Sequence, residues 1–236
     1  MAFSSALALF AHPDDAEFMF GGTVARWARE GTEVHYVCVT DGSAGSNEPG
    51  MTRERLRPIR EREQRAAAAV LGVASVTFLG YPDGGLEVTR EARRDVAREV
   101  RRLRPEVILA PDPSRLWYGS TYINHRDHRI VGELALCAVM PDAPTRPQFP
   151  ELLEEGFEPY EVPRLWLSTE EPDTFVDIEE TLDLKLRALA CHASQWHEGD
   201  DVEGWVRKRA AELGAKAGMA YAEGFRAFTL MDGDET

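Results

Sequence analysis

The sequence predicts an α/β protein with a mainly parallel β-sheet. Short apolar runs alternate along the chain with longer amphipathic stretches, which is the pattern of repeated βα units. The first run, residues 6–10, is apolar throughout, as expected of a strand buried on both faces. No linker rich in Pro, Gly or Ser divides the 236 residues. We therefore predict a single domain, residues 1–236, with a Rossmann-like αβα layered fold whose active site lies at the carboxyl ends of the strands.

Local composition predicts the elements of the first half of the chain. Glycine marks helix ends, because it adopts the left-handed conformation that closes a helix. Pro58 lies inside a helical stretch and predicts a break or kink there. In chain order we predict a helix over 23–30 ended by Gly31, a strand over 34–40, a loop over 41–50, a helix over 53–71 ended by Gly72, a strand over 76–79 and a turn over 81–85.

The second half begins with a clear amphipathic helix. Val96, Val100 and Leu103 recur at the spacing of one helix face, and arginines occupy much of the rest. Six prolines in residues 141–163 predict a long surface excursion. In chain order we predict a helix over 89–103, a strand over 107–110, a loop over 111–124, a helix over 125–139 capped by Asn124, strands over 165–167 and 174–176, helices over 181–191 and 202–217, and a flexible acidic tail over 227–236.

Composition argues against several classes of protein. With 27 Lys plus Arg against 41 Asp plus Glu, the formal net charge is −14, which disfavours nucleic acid or an anionic membrane as a partner. No apolar run has the roughly 18–20 residues of a transmembrane helix, and residues 5–10 lack the flanks of a signal peptide. The three widely spaced cysteines match neither a disulfide framework nor a metal clip, so we expect a cytoplasmic protein.

Two clusters of His and Asp follow predicted strands. His12-Pro13-Asp14-Asp15 comes directly after the first strand, and His125-Arg126-Asp127-His128 comes after the strand over 107–110. Because the carboxyl ends of parallel strands share one edge of a sheet, we expect the two clusters to meet. Imidazole and carboxylate are ligands that suit Zn²⁺. His12, Asp15 and one histidine of the second cluster would supply the three protein ligands of a catalytic zinc.

Each cluster alone has a simpler explanation. Pro-Asp-Asp is ordinary chemistry for a turn or a helix start, since Asp caps free backbone N–H groups. A single His-x-x-His is also more often structural than catalytic. Three of the six histidines lie in the two clusters, however, and each cluster follows the pattern of a buried strand. Their joint appearance favours a metal site.

Together the motifs resemble those of a known family. The segment Ala11-His12-Pro13-Asp14-Asp15-Ala16-Glu17-Phe18, the following Gly21-Gly22-Thr23 and the later His125-Arg126-Asp127-His128 are similar to the LmbE/PIG-L-like metal-dependent deacetylases. That family includes the N-acetylglucosaminyl deacetylases of mycothiol and bacillithiol biosynthesis. The resemblance continues through residues 60–63, 71–72, 185 and 192–195, so it covers roughly residues 5–195. Arg126 stands where proline is common in the family, at a position that is not a ligand.

The resemblance implies a role for each residue of the two clusters. His12, Asp15 and His128 resemble the zinc ligands, Asp14 the general base, His125 the residue that stabilises the tetrahedral intermediate and Asp127 a carboxylate that orients a histidine. General chemistry agrees with these roles. Zinc makes bound water a better nucleophile and polarises an amide carbonyl, a carboxylate takes the proton, and a protonated His125 would donate to the oxyanion.

Three further residues are candidate substrate contacts, each with an alternative. Arg60 resembles a substrate-binding arginine of the family, or it is a solvated helix arginine. Asp83 is able to hydrogen-bond sugar hydroxyl groups, although turns use Asp routinely. His192 either approaches the site or stabilises local structure. Trp117 and Tyr118 either form an apolar wall for a sugar face or pack their loop down.

We therefore predict a zinc-dependent hydrolase that removes an acyl group, with acetyl favoured, from an N-acylated amino sugar or a related small amide. Fe²⁺ and Co²⁺ are alternative metals, since ligation by two histidines and an aspartate tolerates them. The alternative functions are a non-catalytic metal- or sugar-binding module and a metal-assisted phosphoester hydrolase, which usually needs two metals. A dinucleotide-binding oxidoreductase is disfavoured, because no G-x-G-x-x-G follows the first strand. The expected partner is the small substrate, and a homo-oligomer is left open.

Overall fold

A seven-stranded β-sheet forms the centre of the molecule, and its strands come from both halves of the chain. The computed structural model describes residues 3–197 and 199–231. The strands of the described residues are β1 (Ser5–Phe10), β2 (Glu33–Thr40), β3 (Ser75–Tyr81), β4 (Val107–Pro111), β5 (Trp117–Tyr118), β6 (Tyr122–Ile123), β7 (Arg164–Ser168), β8 (Thr174–Asp177) and β9 (Ala222–Thr229). The α-helices are α1 (Asp15–Arg29), α2 (Arg53–Leu71), α3 (Arg90–Leu103), α4 (Arg126–Cys137), α5 (Pro150–Glu154), α6 (Leu182–Leu189) and α7 (Val202–Ala217).

The sheet confirms the predicted, mainly parallel α/β fold. Its strand order is β3-β2-β1-β4-β7-β9-β8, and β5 and β6 form a separate hairpin. Five neighbouring strands pair in parallel, in the order β3, β2, β1, β4 and β7. Strand β9 runs antiparallel to both of its neighbours, β7 and β8. After β1 the chain builds β2 and β3 on one side, and it then returns to the other side of β1 as β4. The carboxyl ends of β1 and β4 therefore flank the point where the strand order reverses, which is where α/β sheets bind ligands.

Side chains of the sheet alternate between two cores. On β1, Ala8 and Phe10 contact the core formed with α1, α2, α6 and α7, whereas Leu7 and Leu9 contact the core formed with α3 and α4. All four side chains are fully buried. Because both faces of this strand are covered by helices, every position is apolar and the run shows no alternation.

Helix α1 begins at Asp15 rather than at residue 23, where the sequence pattern predicted its start. Gly21 and Gly22 lower the helix propensity of this stretch, but both are buried. A Cβ on Gly22 would lie 2.7 Å from Ile178, and one on Gly21 would lie 3.2 Å from Lys185. Close packing of α1 against Ile178, just before α6, therefore requires glycine at position 22, and this packing outweighs propensity.

Strand β9 lies where the sequence predicted no strand, and it changes the predicted tail. The flexible tail was expected over 227–236, but residues 227–229 pair with residues 164–166 of β7. Residues 232–236 lie outside the described residues. Strand β9 was missed because polar and charged residues interrupt its apolar pattern. Its place between β7 and β8 depends on pairing with strands distant in sequence, which no local pattern reports.

The proline-rich segment 141–163 packs against α3. It contains the short helix α5, and its Phe149 and Leu152 are buried in a cluster with Ala97. Arg101 of α3 donates to the carbonyl groups of residues 142, 143 and 145 at 3.0 Å each. A single buried arginine thus satisfies backbone acceptors that a proline-rich chain leaves without regular hydrogen bonds.

Among the helices of the described residues, none combines the length and the hydrophobicity that a membrane crossing requires.

A buried ion pair joins α1, α6 and β9. Lys185 Nζ donates to Glu223 Oε1 at 2.6 Å and to the Phe18 carbonyl at 2.8 Å. Glu223 also accepts from the backbone N–H groups of Gly22 at 2.9 Å and Thr23 at 2.7 Å. Both charged side chains are 5% exposed. Each buried charge is paired and hydrogen-bonded, so the loss of either partner leaves the other charge uncompensated.

We expect Lys185→Met to lower the free energy of unfolding by about 3–5 kcal/mol, because Glu223 then keeps a buried charge without its cation. Urea unfolding followed by circular dichroism measures the change. Lys216→Met, at an exposed position of α7, is the matched control and should cost at most about 0.5 kcal/mol. Adding Glu223→Leu to Lys185→Met should recover much of the loss, since no unpaired charge remains. Equal urea-unfolding midpoints for the Lys185 and Lys216 variants would contradict a structural role for the ion pair between Lys185 and Glu223.

Candidate metal centre and active site

The two His and Asp clusters meet at the carboxyl ends of β1 and β4. His12 follows β1, while His125 and His128 lie at the start of α4. The ring centroid of His12 is 4.6 Å from that of His125 and 5.3 Å from that of His128. The convergence expected from the order of strands along the chain is therefore present in the fold.

The carboxylate of Asp15 lies between two of the histidine rings. Its Oδ1 is 3.0 Å from His128 Nε2, and its Oδ2 is 3.3 Å from His12 Nδ1. Oδ2 also accepts from the backbone N–H of His12 at 2.7 Å, which fixes the carboxylate against the turn after β1. The three residues predicted as metal ligands thus lie around one position.

Asn124 determines how the ring of His128 is oriented. Its Oδ1 is 3.0 Å from His128 Nδ1, while its Nδ2 donates to the carbonyl of Arg115 at 2.7 Å. An amide oxygen only accepts hydrogen bonds, so Nδ1 donates its proton to Asn124 and Nε2 is the ring nitrogen that faces Asp15. Asn124 was predicted to cap the following helix. Instead His125 is the cap, because its Nδ1 accepts from the Asp127 N–H at 3.2 Å.

Two further carboxylates face the second nitrogen of His12. His12 Nε2 is 3.1 Å from Asp83 Oδ1 and 3.3 Å from Asp127 Oδ2. Backbone N–H groups hold both carboxylates in place, since Ala44 donates to Asp83 at 2.9 Å and Gly84 donates to Asp127 at 2.8 Å. Carboxylates in this position orient an imidazole that binds a metal.

The donor set of this site fits a divalent cation. Nitrogen and oxygen atoms of the described residues lie within 4.8 Å of one another in two groups, which are His12, His125 and His128, and His12, Asp83, His125 and Asp127. The predicted ligand set of His12, Asp15 and His128 overlaps the first group. Three carboxylates surround the single ring of His12, and one oxygen of Asp127 is buried without a hydrogen-bond partner among the described residues. Excess negative charge together with imidazole nitrogens matches the requirements of Zn²⁺.

Charge pairing controls the protonation of this cluster. Burial alone lowers the pKa of His12, but its hydrogen bonds with Asp127, Asp15 and Asp83 raise this pKa well above its ordinary value. Burial raises the pKa of Asp15, yet the rings of His128 and His12 hold it well below its ordinary value. In the same way His12 lowers the pKa of Asp83 to about 2 despite the burial of that carboxyl group. Asp15 and Asp83 are therefore ionised at neutral pH, which is the form that binds a cation.

Asp14 borders the same cavity in an uncommon backbone conformation. Its φ of 105° lies in the left-handed region that favours glycine. Its carboxylate is 16% exposed and lies 3.1 Å from Nη2 of Arg60. Burial raises the pKa of Asp14 to about 7, although the charge of Arg60 opposes this shift. A carboxyl group with this pKa is suited to exchange a proton near neutral pH.

Arg60, a predicted substrate contact, is 3% exposed and binds the loop that carries Asp14. Besides Asp14, Nη2 contacts the carbonyl of Pro13, and Nη1 donates to the carbonyl of Gly42 at 3.0 Å. Gly42 has a φ of 60°, and a Cβ there would lie 2.6 Å from Pro13. Arg60 is therefore not a solvated helix arginine. It borders the cavity, but both of its Nη groups bind acceptors of the protein.

A chain of hydrogen bonds between buried polar side chains holds the backbone of Asp14 on the side away from the cavity. The backbone N–H of Asp14 donates to Gln64 Oε1 at 2.9 Å, and Gln64 Nε2 donates to Glu17 Oε1 at 2.9 Å. Glu17 Oε2 is 3.1 Å from His192 Nε2. Gln64, Glu17 and His192 are all fully buried. The chain therefore ties a loop in an uncommon conformation to α1, α2 and the segment after α6.

The other predicted substrate contacts have different surroundings. Asp83 borders the cavity, whereas His192 is not among the described residues that line it. Of the two alternatives for His192, these contacts favour local stabilisation. Tyr118 lines the cavity from the β5–β6 hairpin, while Trp117 on the same hairpin is 59% exposed.

His125 stands at the mouth of the site with a lowered pKa. Burial and the neighbouring rings of His12 and His128 lower the pKa of His125 below its ordinary value. Its Nδ1 accepts from the Asp127 N–H, so the proton of the neutral ring resides on Nε2. The ring therefore presents an N–H donor in its neutral form. The protonated form expected from the sequence is not needed for that donation.

Sequence reasoning missed two residues of the chain behind Asp14. Glu17 is an ionisable residue inside the apolar start of α1, which is itself a signal, since isolated buried charges are rare. Gln64 lies four residues after Arg60 and therefore on the same face of α2. Both signals were present in the sequence, but neither indicates which atoms the side chains contact.

Comparison with known proteins identifies the family of this chain. A family model described as GlcNAc-PI de-N-acetylase, PIG-L, matches residues 7–139, which is more than half of the chain. The diacetylchitobiose deacetylase of Thermococcus kodakarensis is 35% identical, over 91% of this chain and 79% of its own length. The 4-oxalmesaconate hydratase of Pseudomonas putida is 27% identical, over 94% of this chain and 88% of its own.

A solved structure is also similar over nearly the whole chain. It is the N,N′-diacetylchitobiose deacetylase of Pyrococcus horikoshii, complexed with its inhibitor MPG. The similarity has a TM-score of 0.89 at 34% identity, and it covers 96% of this chain and 84% of that one. The resemblance seen in the two motifs is thereby confirmed: this chain belongs to the PIG-L family, whose LmbE-like members include named deacetylases, hydrolases of amide bonds.

Proposed function

We propose that this protein is a metal-dependent N-deacetylase that removes an acetyl group from an N-acetylated amino sugar. The observation that carries the proposal is the position of Asp14, a carboxyl group with a pKa of about 7, beside the cluster of His12, Asp15 and His128 in one open cavity. An amide hydrolase needs a cation site and a proton acceptor side by side, and this arrangement supplies both.

His12, Asp15 and His128 would hold the divalent ion, with Asn124 and Asp127 orienting the two rings. Zn²⁺ is proposed from the donor set, although two histidines and an aspartate also accept Fe²⁺ or Co²⁺. When bound, the ion supplies a Lewis acid that polarises an amide carbonyl and lowers the pKa of water. The protons are moved by side chains of the protein itself.

Asp14 accepts a proton from the attacking water and delivers it to the nitrogen of the departing amine. Arg60 and the Gln64 side chain keep its loop in position during both transfers. His125 donates from Nε2 to the oxygen of the tetrahedral intermediate, where negative charge develops. Because Asp127 supplies a backbone N–H to Nδ1 of that ring, the donor is oriented before the reaction begins.

A release assay tests the proposal directly. N-acetylglucosamine and N,N′-diacetylchitobiose are incubated with the zinc-loaded protein, and the free amine is measured. We expect release that stops with a chelator and returns when Zn²⁺ is added in slight excess. Amine release that is unaffected by complete removal of metal would contradict the metal-dependent mechanism. No release from any N-acetylated sugar at full zinc loading would contradict the proposed function.

Hydration of an unsaturated polycarboxylate is a second candidate, because one relative is named 4-oxalmesaconate hydratase. The charge of the cavity speaks against it. Eight acidic side chains line the cavity against four Lys and Arg, and three of those four are paired with acids. A polyanion would be repelled by this lining, whereas a neutral sugar would not. Loss of absorbance of the unsaturated acid is the assay that separates the two functions.

A non-catalytic binding module is disfavoured, because both Asp14 and His125 occupy the cavity wall with the cluster. A cytoplasmic location and the partner, a small N-acetylated substrate, are proposed together with the activity.

A further inference from the structure

The β5–β6 hairpin forms part of the cavity wall but is largely exposed to solvent. Of residues 116–123, all except Tyr118 are exposed, including the apolar Trp117 and Ile123. Tyr118 and Tyr122 nevertheless line the cavity, with their ring centroids 5.9 Å apart. A segment with so few buried apolar contacts opens locally at a low cost in free energy. The shape of this wall therefore depends on the contacts that hold the hairpin.

A single buried residue closes the open end of the hairpin. Asn124 comes directly after the exposed strand β6 and is itself buried. Its backbone N–H donates to the carbonyl of Leu116 at 3.0 Å, and its side-chain Nδ2 donates to the carbonyl of Arg115 at 2.7 Å. Both acceptors lie just before β5, so these two hydrogen bonds hold the two strands together where they leave the body of the protein.

The same side chain orients a proposed metal ligand. Asn124 Oδ1 accepts from His128 Nδ1 at 3.0 Å, and His128 Nε2 faces Asp15. An imidazole whose Nε2 binds a cation carries more positive charge, so its Nδ1–H becomes a stronger donor. Hydrogen bonds in a chain polarise one another, so a stronger donor at the amide oxygen makes the amide nitrogen of Asn124 a stronger donor as well. One imidazole and one amide therefore connect the cation site with the hairpin.

We propose that Asn124 couples the β5–β6 hairpin to the cation site, so that a cation bound at His128 fixes the hairpin and a fixed hairpin strengthens cation binding. Asn124 is thus a positioning residue, because it acts through His128 and through the hairpin. The coupling is equal in both directions, since linkage between two equilibria is reciprocal. The inference rests on the cation site of the proposed function. It adds that the wall formed by Tyr118 and Tyr122 is set only when that site is loaded.

Hydrogen exchange of the hairpin amides, measured by mass spectrometry with Zn²⁺ as the only added ligand, tests the coupling. In the wild-type protein, saturating Zn²⁺ should slow exchange over residues 116–123 by at least about fivefold, the lower end of the usual coupling between linked sites. Helix α3 contributes no residue to the cavity lining, and its exchange should not change when Zn²⁺ binds.

Two substitutions of Asn124 separate the two ends of its amide. Asn124→Asp keeps an oxygen for His128 Nδ1 but offers no N–H to the carbonyl of Arg115, since an ionised carboxylate only accepts hydrogen bonds. It should bind Zn²⁺ at least as tightly as the wild-type protein, because a carboxylate makes a ligating imidazole more basic. Most of the zinc-dependent slowing over residues 116–123 should nevertheless be lost. Asn124→Ala removes both contacts of the side chain and should lose the slowing together with part of the zinc affinity.

Zinc affinity measured in competition with a chelator tests the reverse direction. Trp117 and Ile123 are paired and exposed, so replacing both with glycine loosens the hairpin and removes little from the core. This double variant should bind Zn²⁺ more weakly, by a factor similar to the slowing of exchange, since the coupling is reciprocal. In the Asn124→Asp background the same two changes should alter the zinc affinity by less than about twofold. Leu230→Gly, at another exposed apolar position, is the matched control and should bind Zn²⁺ like the wild-type protein.

Three results would overturn the inference. The first is bound Zn²⁺ that leaves exchange over residues 116–123 unchanged in the wild-type protein. The second is slowing that survives fully in Asn124→Asp, because the hairpin would then respond without the side-chain N–H of Asn124. The third is a wild-type protein that binds no Zn²⁺, which would overturn the proposed function as well. Zinc-dependent slowing without any release of amine would contradict the proposed function alone and would leave the coupling supported.

Discussion

We expect Asp14→Asn to lower kcat by about 10²–10⁴-fold while the protein keeps its bound metal, because the amide cannot accept the proton of the attacking water. The Asn side chain has the shape of Asp and still offers an oxygen to Arg60, so the loop keeps its position. The measurement is amine release at saturating substrate, paired with metal content by mass spectrometry.

Asp183→Asn is the matched control for this change. Asp183 lies on α6 and its side chain is 82% exposed, so its replacement should leave both kcat and metal content unaltered. Near-normal turnover in Asp14→Asn would remove Asp14 from the role of base. Loss of metal in that variant would instead make Asp14 part of the cation site.

His128→Ala should release the metal. Removal of a group that only orients a ligand typically weakens metal binding about 10–100-fold, and removal of a ligand should cost at least as much. We therefore expect a shift of at least about 100-fold in competition with a chelator, together with loss of turnover. The metal affinity of Asn124→Ala should lie between that of His128→Ala and that of the wild-type protein. This variant leaves His128 in place and removes only the hydrogen bond to its Nδ1.

The control for this series is His197→Ala, a change at an exposed histidine. It should retain the metal affinity and the turnover of the wild-type protein. One zinc per chain bound by His128→Ala with unchanged affinity would remove His128 from the ligand set. The set of His12, Asp83, His125 and Asp127 would then be the better candidate.

The buried, hydrogen-bonded side chains behind Asp14 hold the proposed base in place. Gln64 accepts from the backbone of Asp14 with its oxygen and donates to Glu17 with its nitrogen, which determines the orientation of the amide. Glu17 in turn is oriented by His192. Because these groups are fully buried, each hydrogen bond that is lost leaves an unsatisfied partner, and the conformation of Asp14 is stabilised cooperatively.

Much of the fold was predictable from local signals. The helix over 53–71 with its end at Gly72 and the helix over 202–217 agree with α2 and α7 at both ends. Both stretches have a composition that favours helix, and a glycine follows the last residue of each. The start of α1 and the whole of β9 were not predictable in this way. Glycines in α1 and charges in β9 are explained only by the elements that pack against them.

In the candidate site, too, some features were predictable from the sequence and others required the fold. The position of both clusters after strands was enough to bring His12 and His128 to one edge, since parallel strands fix the direction of their ends. The residue that caps α4 could not be predicted from the sequence, because Asn124 and His125 are both chemically able to cap this helix. The contacts of Arg60 could likewise be assigned only from the fold. The sequence of a helix does not indicate whether its arginine faces solvent or the loop that carries Asp14.

The order of strands and the residue types that follow them are local properties, so the sequence by itself determined the α/β architecture, the meeting of the two clusters and the kind of chemistry they support. Hydrogen-bond partners, burial and cavity shape depend on segments that approach each other only in the folded chain. The tertiary structure alone therefore decided that Gln64, Glu17 and His192 support Asp14, that Asn124 orients His128, and that the cavity extends from the cluster to α7.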